Sequence, residues 1–363
     1  MRQGRLRAAR DLAAAACIAG VAATAGLWGC ARSVFPPGGP IDTTAPRVAF
    51  SDPADSSVRV PVDASVELLF SESMDRPTVR DGIRIFPPAG RQLTDWSGRR
   101  VRVTWAKPLA EGTTYTLLLS GTARDARGVP LGRATTLRFS TGDSLDRGQI
   151  SGRLRAKTLR RAGVPIVLFP DSLGDRPDTT GAPVSYATET DSGGVYHVTG
   201  LPVGRGFTVH AFYDQNNNGS LEADVDYVFS YAGPIRLTSE SPEADSVNIV
   251  AVDPKAPAII KGTVATVDST ARFRIEAVGV DDSTNFKRVE RIGPGAFSIR
   301  VSAGTYRLRA VPIPTAGGMP EGPVIRRDEP IEAKPEEEYG PFELDFGSYQ
   351  GPKREKPAEG EEE

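Results

Sequence analysis

Arg100-Val101-Arg102-Val103-Thr104-Trp105 alternates charge with apolar bulk. A period of two puts Val101, Val103 and Trp105 on one face of an extended chain and Arg100 and Arg102 on the other. That is the pattern of a strand with one side in a core and one side in water. Ser65-Val66-Glu67-Leu68-Leu69-Phe70 reads as a strand before it, and Thr114 to Leu119 and Thr135 to Ser140 read as strands after it. Asp81-Gly82, Ser97-Gly98, Glu111-Gly112 and Arg127-Gly128 are turn signals between them. Short strands at this spacing predict a β-sandwich over residues 46–142. The whole chain, 363 residues with 38 Gly, 30 Pro and 7% aromatic content, fits many short strands and many turns.

Four motifs in this segment carry a resemblance. They are Phe70-Ser71-Glu72-Ser73-Met74-Asp75, Pro108 to Leu117, Asp125-Ala126-Arg127-Gly128 and Phe139-Ser140-Thr141-Gly142. In this order they resemble the bacterial Ig-like domain of the SbsA type. The resemblance implies a sandwich used in bacterial surface proteins and lipoproteins, with no catalytic residues to carry over. It also implies a tyrosine-corner role for Tyr115, tying a strand start to nearby backbone.

Residues 148–252 and 257–347 read as two copies of one design. Ile150-Ser151-Gly152-Arg153-Leu154 opens the first and Ile260-Lys261-Gly262-Thr263-Val264 the second. Gly194 to Val198 matches Gly295 to Ile299, and Gly206 to Ala211 matches Thr305 to Ala310. Both resemble the carboxypeptidase-regulatory-like, transthyretin-type β-sandwich, which implies a non-enzymatic spacer or a binding module. The links Asp143 to Arg147 and Asp253 to Pro257 are polar or Pro-containing. The fold class expected is therefore all-β, with tandem Ig-like and transthyretin-like sandwiches.

The chain begins with Arg2, Arg5, Arg7 and Arg10, then runs uncharged from Leu12 to Trp28. A positive start, a short apolar centre and small residues before a break describe a secretory signal peptide over 1–29 rather than a spanning helix. Leu27-Trp28-Gly29-Cys30 resembles a bacterial lipobox, although Trp28 stands where a small residue is usual. The resemblance implies lipidation of Cys30 and a membrane contact through it, since stable anchoring needs more than one acyl chain. Ala31 lacks the acidic side chain linked to inner-membrane retention in some lipoproteins, so the outer membrane is the expected location. Residues 30–45, with Pro36-Pro37-Gly38-Gly39-Pro40, read as a flexible tether. Residues 351–363 read as a disordered charged tail. Cys17 leaves with the leader and Cys30 carries lipid, so the mature chain would hold neither thiol nor disulfide.

Charge and motifs narrow the function. A formal net charge of −2 does not favour a nucleic-acid partner. Gly142-Asp143-Ser144-Leu145 spells a lipase and esterase signature, but no Asp-x-x-His follows it. Only His197 and His210 exist, and Gly194 and Phe207 stand three residues before them. Both histidines read as solvent-side or half-buried strand residues. Trp105 reads as core, whereas Trp96 and Tyr213, Tyr227 and Tyr231 are candidate aromatics for a sugar platform.

The richest chemistry lies in Asp214-Gln215-Asn216-Asn217-Asn218-Gly219-Ser220-Leu221-Glu222. Asp214, Asn216 and Asn218 offer oxygens at alternate positions, Ser220 offers its carbonyl, and Glu222 follows. This is the opening of a calcium loop. The twelfth position is Val225, so Asp224 or Asp226 would have to replace the usual bidentate Glu. A polar hairpin turn around Asn218-Gly219 is the competing reading. The expected function is a non-enzymatic, lipid-anchored cell-envelope protein with a structural or adhesive role. The alternative is a surface module that binds polysaccharide for a neighbouring uptake or secretion system. The expected partners are the membrane and an envelope protein or polysaccharide, and the expected cofactor is calcium.

Overall fold

In the computed structural model, described residues are 42–173, 184–216, 222, 225–314 and 322–350. The leader, Cys30, most of the tether and the tail lie outside them. The alternating stretch is a strand, and its two faces divide as the period requires. The first sandwich comprises β1 (Val48–Asp52), β2 (Val66–Phe70), a short helix α1 (Arg76–Gly82), β3 (Ile83–Phe86), β4 (Gln92–Ser97), β5 (Arg100–Trp105), β6 (Thr114–Leu119) and β7 (Thr135–Ser140). One sheet has the order β1-β2-β5-β4 and the other β3-β6-β7. Val101 and Val103 are fully buried against Leu68, Phe70, Leu117 and Phe139. On the outer face Arg100 and Arg102 both bond Glu67, at 2.6 and 2.5 Å, and hold its carboxyl below the usual range. Trp105 is half-buried at the edge of this core, as is Trp96, which stacks on Phe70 at 6.2 Å under Arg76. Asp81-Gly82 is not a simple turn but the end of α1, which Pro77 opens.

The second sandwich comprises β8 (Gly148–Ala156), β9 (Pro165–Pro170), β10 (Tyr186–Glu189), β11 (Val195–Leu201), β12 (Gly206–Tyr213), β13 (Tyr227–Ser230), β14 (Ile235–Arg236), β15 (Glu243–Ala244) and β16 (Ile249–Ala251). The third comprises β17 (Ala258–Ala265), β18 (Arg272–Gly279), β19 (Phe286–Ile292), β20 (Gly295–Val301), β21 (Gly304–Ile313), β22 (Ile325–Arg326), β23 (Ile331–Ala333) and β24 (Glu338–Asp345). Their topologies correspond, with two short strands of the second, β15 and β16, standing where the third has β24. β10-β9-β12-β13, with β14 on β12, corresponds to β19-β18-β21-β22, with β23 on β21. β11-β8-β15, with β16 also on β8, corresponds to β20-β17-β24. In both, the last strands run parallel to the first, a pairing that needs a long return of chain.

The shared Ile-x-Gly opening has a physical cause. A Cβ on Gly152 would sit 1.9 Å from the Val247 carbonyl and 2.9 Å from the Tyr196 hydroxyl. A Cβ on Gly262 would sit 2.2 Å from the Phe342 carbonyl and 2.5 Å from the Phe297 ring. Each glycine lets returning backbone and an aromatic from the neighbouring strand close over the opening strand.

Candidate functional site

The Asp214 loop joins β12 to β13, which pair from Tyr213↔Tyr227 to His210↔Ser230. It is a strand–loop–strand unit. Of the residues expected to bind calcium, Asp214, Asn216, Glu222 and Asp226 are described, and Asn218, Ser220 and Asp224 lie outside the described residues. Asp226 is buried. Its Oδ1 accepts from the Gln215 amide and its Oδ2 from the Glu222 amide, each at 2.8 Å. Asn216 Nδ2 donates to Glu222 Oε2 at 2.8 Å, and the Glu222 carbonyl accepts from the Val225 and Asp226 amides. The two ends of the loop are thus drawn together by Asp226, which acts as the clasp of the hairpin. The structure brings Asn216, Glu222 and Asp226 together. It gives Asp226 backbone amides as its partners.

The lipase-like tetrapeptide assembles no triad. Asp143 is an exposed residue paired to Arg59 at 2.8 Å. His197 is exposed on β11. His210 is only 3% exposed, which corrects the solvent-side or half-buried reading. β12 is buried along its whole length, so the alternation expected of a one-faced strand does not apply. His210 Nδ1 lies 2.8 Å from Ser230 Oγ and Nε2 2.9 Å from Thr208 Oγ1, with Phe169 edge-on. Burial pushes its pKa down to about 4. Tyr115 does hold a corner: its hydroxyl accepts from the Ala110 amide at 2.8 Å.

The joint between the first and second sandwiches was not foreseen from the sequence. β6 is buried at all six positions. Tyr115, Leu117 and Leu119 face the first core, while Leu118, with Phe86 of β3, belongs to the core of the second sandwich. Thr114 Oγ1 accepts from the Asp146 amide at 2.8 Å, and the Gly121 amide donates to Glu189 Oε2 at 3.0 Å. Gly200, at φ 76°, brings β11 against Thr114 and Thr116, where a Cβ would be within 3.4 Å of both. The signal was present: Thr116-Leu117-Leu118-Leu119 breaks the alternation, as a strand covered on both faces does. Beside this joint lies a cleft of about 800 Å³ flanked by Pro87, Asp171, Tyr186, Arg205, Phe207 and Arg236. Arg236 and Asp171 pair across part of its wall at 2.8 Å.

The third sandwich meets the second through Glu336. Its carbonyl accepts from Lys157 Nζ at 2.8 Å, and its carboxylate accepts from the Asp253 amide at 3.2 Å and from the Thr158 hydroxyl. Lys255, in the link, lies over the Tyr227 ring at 5.7 Å.

Residues 42–141 match the sequence profile of a family described as Bacterial Ig-like domain. No curated protein matches the chain. Among solved structures it is similar to the N-terminal part of the bacterial S-layer protein SbsC, at 14% identity and TM-score 0.21 over 52% of this chain and 44% of that one. It is also similar to a streptococcal ancillary pilin, at 12% identity and TM-score 0.22 over 70% and 80%. An L,D-transpeptidase from Mycobacterium smegmatis matches at 13% identity and TM-score 0.22 over 57% and 89%. At such values these likenesses carry no argument about activity. Among the described residues no helix is long and apolar enough to cross a membrane.

Proposed function

We propose that the chain is an exported, lipid-anchored cell-envelope protein whose role is structural or adhesive and non-enzymatic. The observation that carries this reading is the joint at β6. A spacer or adhesin must transmit load from one domain to the next, and a hydrophobic contact continuous between sandwiches resists bending better than a free linker. The Ig-like match over residues 42–141 supports the same class. Cys30 is the proposed anchor, and the outer membrane its proposed location. Cys30→Ser should turn a detergent-phase protein into a soluble or uncleaved one. Persistence of the leader-free variant in membranes would overturn the anchor.

Within this reading the Asp214 loop is a proposed calcium site. Asp214, Asn216 and Glu222, with Asn218, Ser220 and Asp224, offer the ligand oxygens, that of Ser220 from its carbonyl, while Asp226 clasps the loop. Calcium should raise the melting temperature of the second sandwich, magnesium should do less, and Asp214→Ala should remove the loop's share of the rise. Identical melting in millimolar calcium and in chelator would return the loop to an ordinary polar hairpin.

A second reading rests on the cleft beside the joint. Its 800 Å³ is within the range of ligand sites, and Tyr186 and Arg205 stand at its wall. Polysaccharide presented to a neighbouring uptake or secretion system is the ligand class this favours. Retention of the wild-type chain, and not of an Arg205→Ala variant, on immobilised envelope polysaccharide would support it.

A further inference from the structure

We infer that Glu72 and Asp125 of the first sandwich form a second divalent-cation site, separate from the Asp214 loop. Asp125 is 1% exposed. Its Oδ1 is fully used, accepting from the Arg127 and Val129 amides at 2.8 Å each. Its Oδ2 is buried and has no hydrogen-bond partner. A carboxylate oxygen of Glu72 lies within 4.8 Å of one from Asp125. The two segments are held in register by backbone: Met74 bridges Asp125, the Asp75 amide donates to the Arg124 carbonyl, and the Ala126 amide donates to the Ser73 carbonyl, both at 2.9 Å.

A buried carboxylate oxygen with no donor is costly, and a second carboxylate close by adds repulsion. A proton or a cation relieves both. Two oxygens on one calcium ion, at about 2.4 Å each, stand at most about 4.8 Å apart, so one ion can touch both side chains. Hard cations take oxygen ligands, and water can complete the shell around the half-buried Glu72. A half-buried site whose shell is completed by water predicts weak binding, in the range of roughly 10⁻⁴–10⁻³ M found for extracellular modules. The ion would pin the chain just beyond β2 to the loop that carries Asp125.

The test uses the full chain with Asp214→Ala already in place, so that the loop contributes no response of its own. Melting is followed by calorimetry in calcium chloride and in chelator. Millimolar calcium should raise the melting temperature of this chain by about 2–4 °C. Adding Asp125→Asn should abolish that rise. Asn keeps an Oδ1 for the Arg127 and Val129 amides while removing the charge, so the variant should fold. Glu72→Gln should abolish it too. The proposal is overturned if the Asp214→Ala chain melts identically in calcium and chelator, which would leave a shared proton as the solution. It is equally overturned if the rise survives Asp125→Asn or Glu72→Gln. An undiminished calcium response in Asp214→Ala would remove the loop as a site and leave this one to account for the whole rise.

Discussion

Between pH 6.5 and about 4 His210 stays neutral in the folded chain, while in the unfolded chain it takes up a proton. Its folded pKa is depressed, so the unfolded state binds more protons in this window and stability falls as pH is lowered through it. The contribution is fully present above the unfolded pKa of 6.5 and is lost by pH 4, amounting to something on the order of 3 kcal/mol. Denaturant titrations of wild type and His210→Gln should show a stability gap that shrinks by about 2–3 kcal/mol between pH 7 and pH 4.5. A gap that stays constant over that range would mean the imidazole is not held neutral. The environment responsible is all uncharged: Ser230, Thr208 and the Phe169 edge. None of this was legible in Val209-His210-Ala211. An isolated polar residue between apolar ones looks the same on a one-faced strand and on a central strand buried on both sides. Tyr115 was legible because its family motif names its partner region, and the Ala110 amide is within it.

At the scale of elements, glycine and alternation were read for different purposes, and both had structural causes. Alternation at Arg100 to Trp105 fixed the register of β5 because its two faces meet different surroundings, a core and Glu67. α1 escaped notice because seven residues give too little periodicity to outweigh an Asp-Gly pair. The Ile-x-Gly repeat was visible as similarity between the second and third sandwiches, but its reason lies in contacts far along the chain. Gly152 leaves room for the Val247 carbonyl, to which Tyr196 donates its hydroxyl at 2.5 Å. Gly152→Ala should therefore cost about 3 kcal/mol, since backbone must move to admit the methyl. Gly262→Ala should cost a comparable amount in the third sandwich, where the Phe342 carbonyl and the Phe297 ring occupy the space. Arg153→Ala, one residue on and pointing outward, should change stability by less than about 0.5 kcal/mol. Melting curves of the three variants decide this, and equal losses at Gly152 and Arg153 would remove the close-approach explanation.

At the scale of the molecule, the question is which sandwiches unfold together. Phe86 and Leu118 belong by sequence to the first sandwich and by packing to the second. Removing either leaves a void that the two sandwiches share. Phe86 is 6% exposed, and Phe86→Ala should cost about 3–5 kcal/mol. The loss should lower the melting of the first and second sandwiches together, because no boundary confines the cavity to one of them. The third sandwich is tied differently, through Glu336 to Lys157, Thr158 and the Asp253 amide, and its core is a separate cluster. Polar contacts at a partly exposed joint are worth little apiece, so its melting should be nearly independent of Phe86. Calorimetry of the full chain should accordingly resolve one transition for the first two sandwiches and another for the third. Phe86→Ala should shift only the former. Glu336→Ala should shift neither by much, but should speed protease cleavage in the Asp253–Ala256 link, whose backbone it releases. The Asp143–Arg147 link should stay resistant in both proteins, because the Asp146 amide is bonded to Thr114 and Asp143 to Arg59. A Phe86→Ala chain in which only the first sandwich loses stability would show that the two cores adjoin without being coupled, and the rigid joint proposed at β6 would then lose its physical basis.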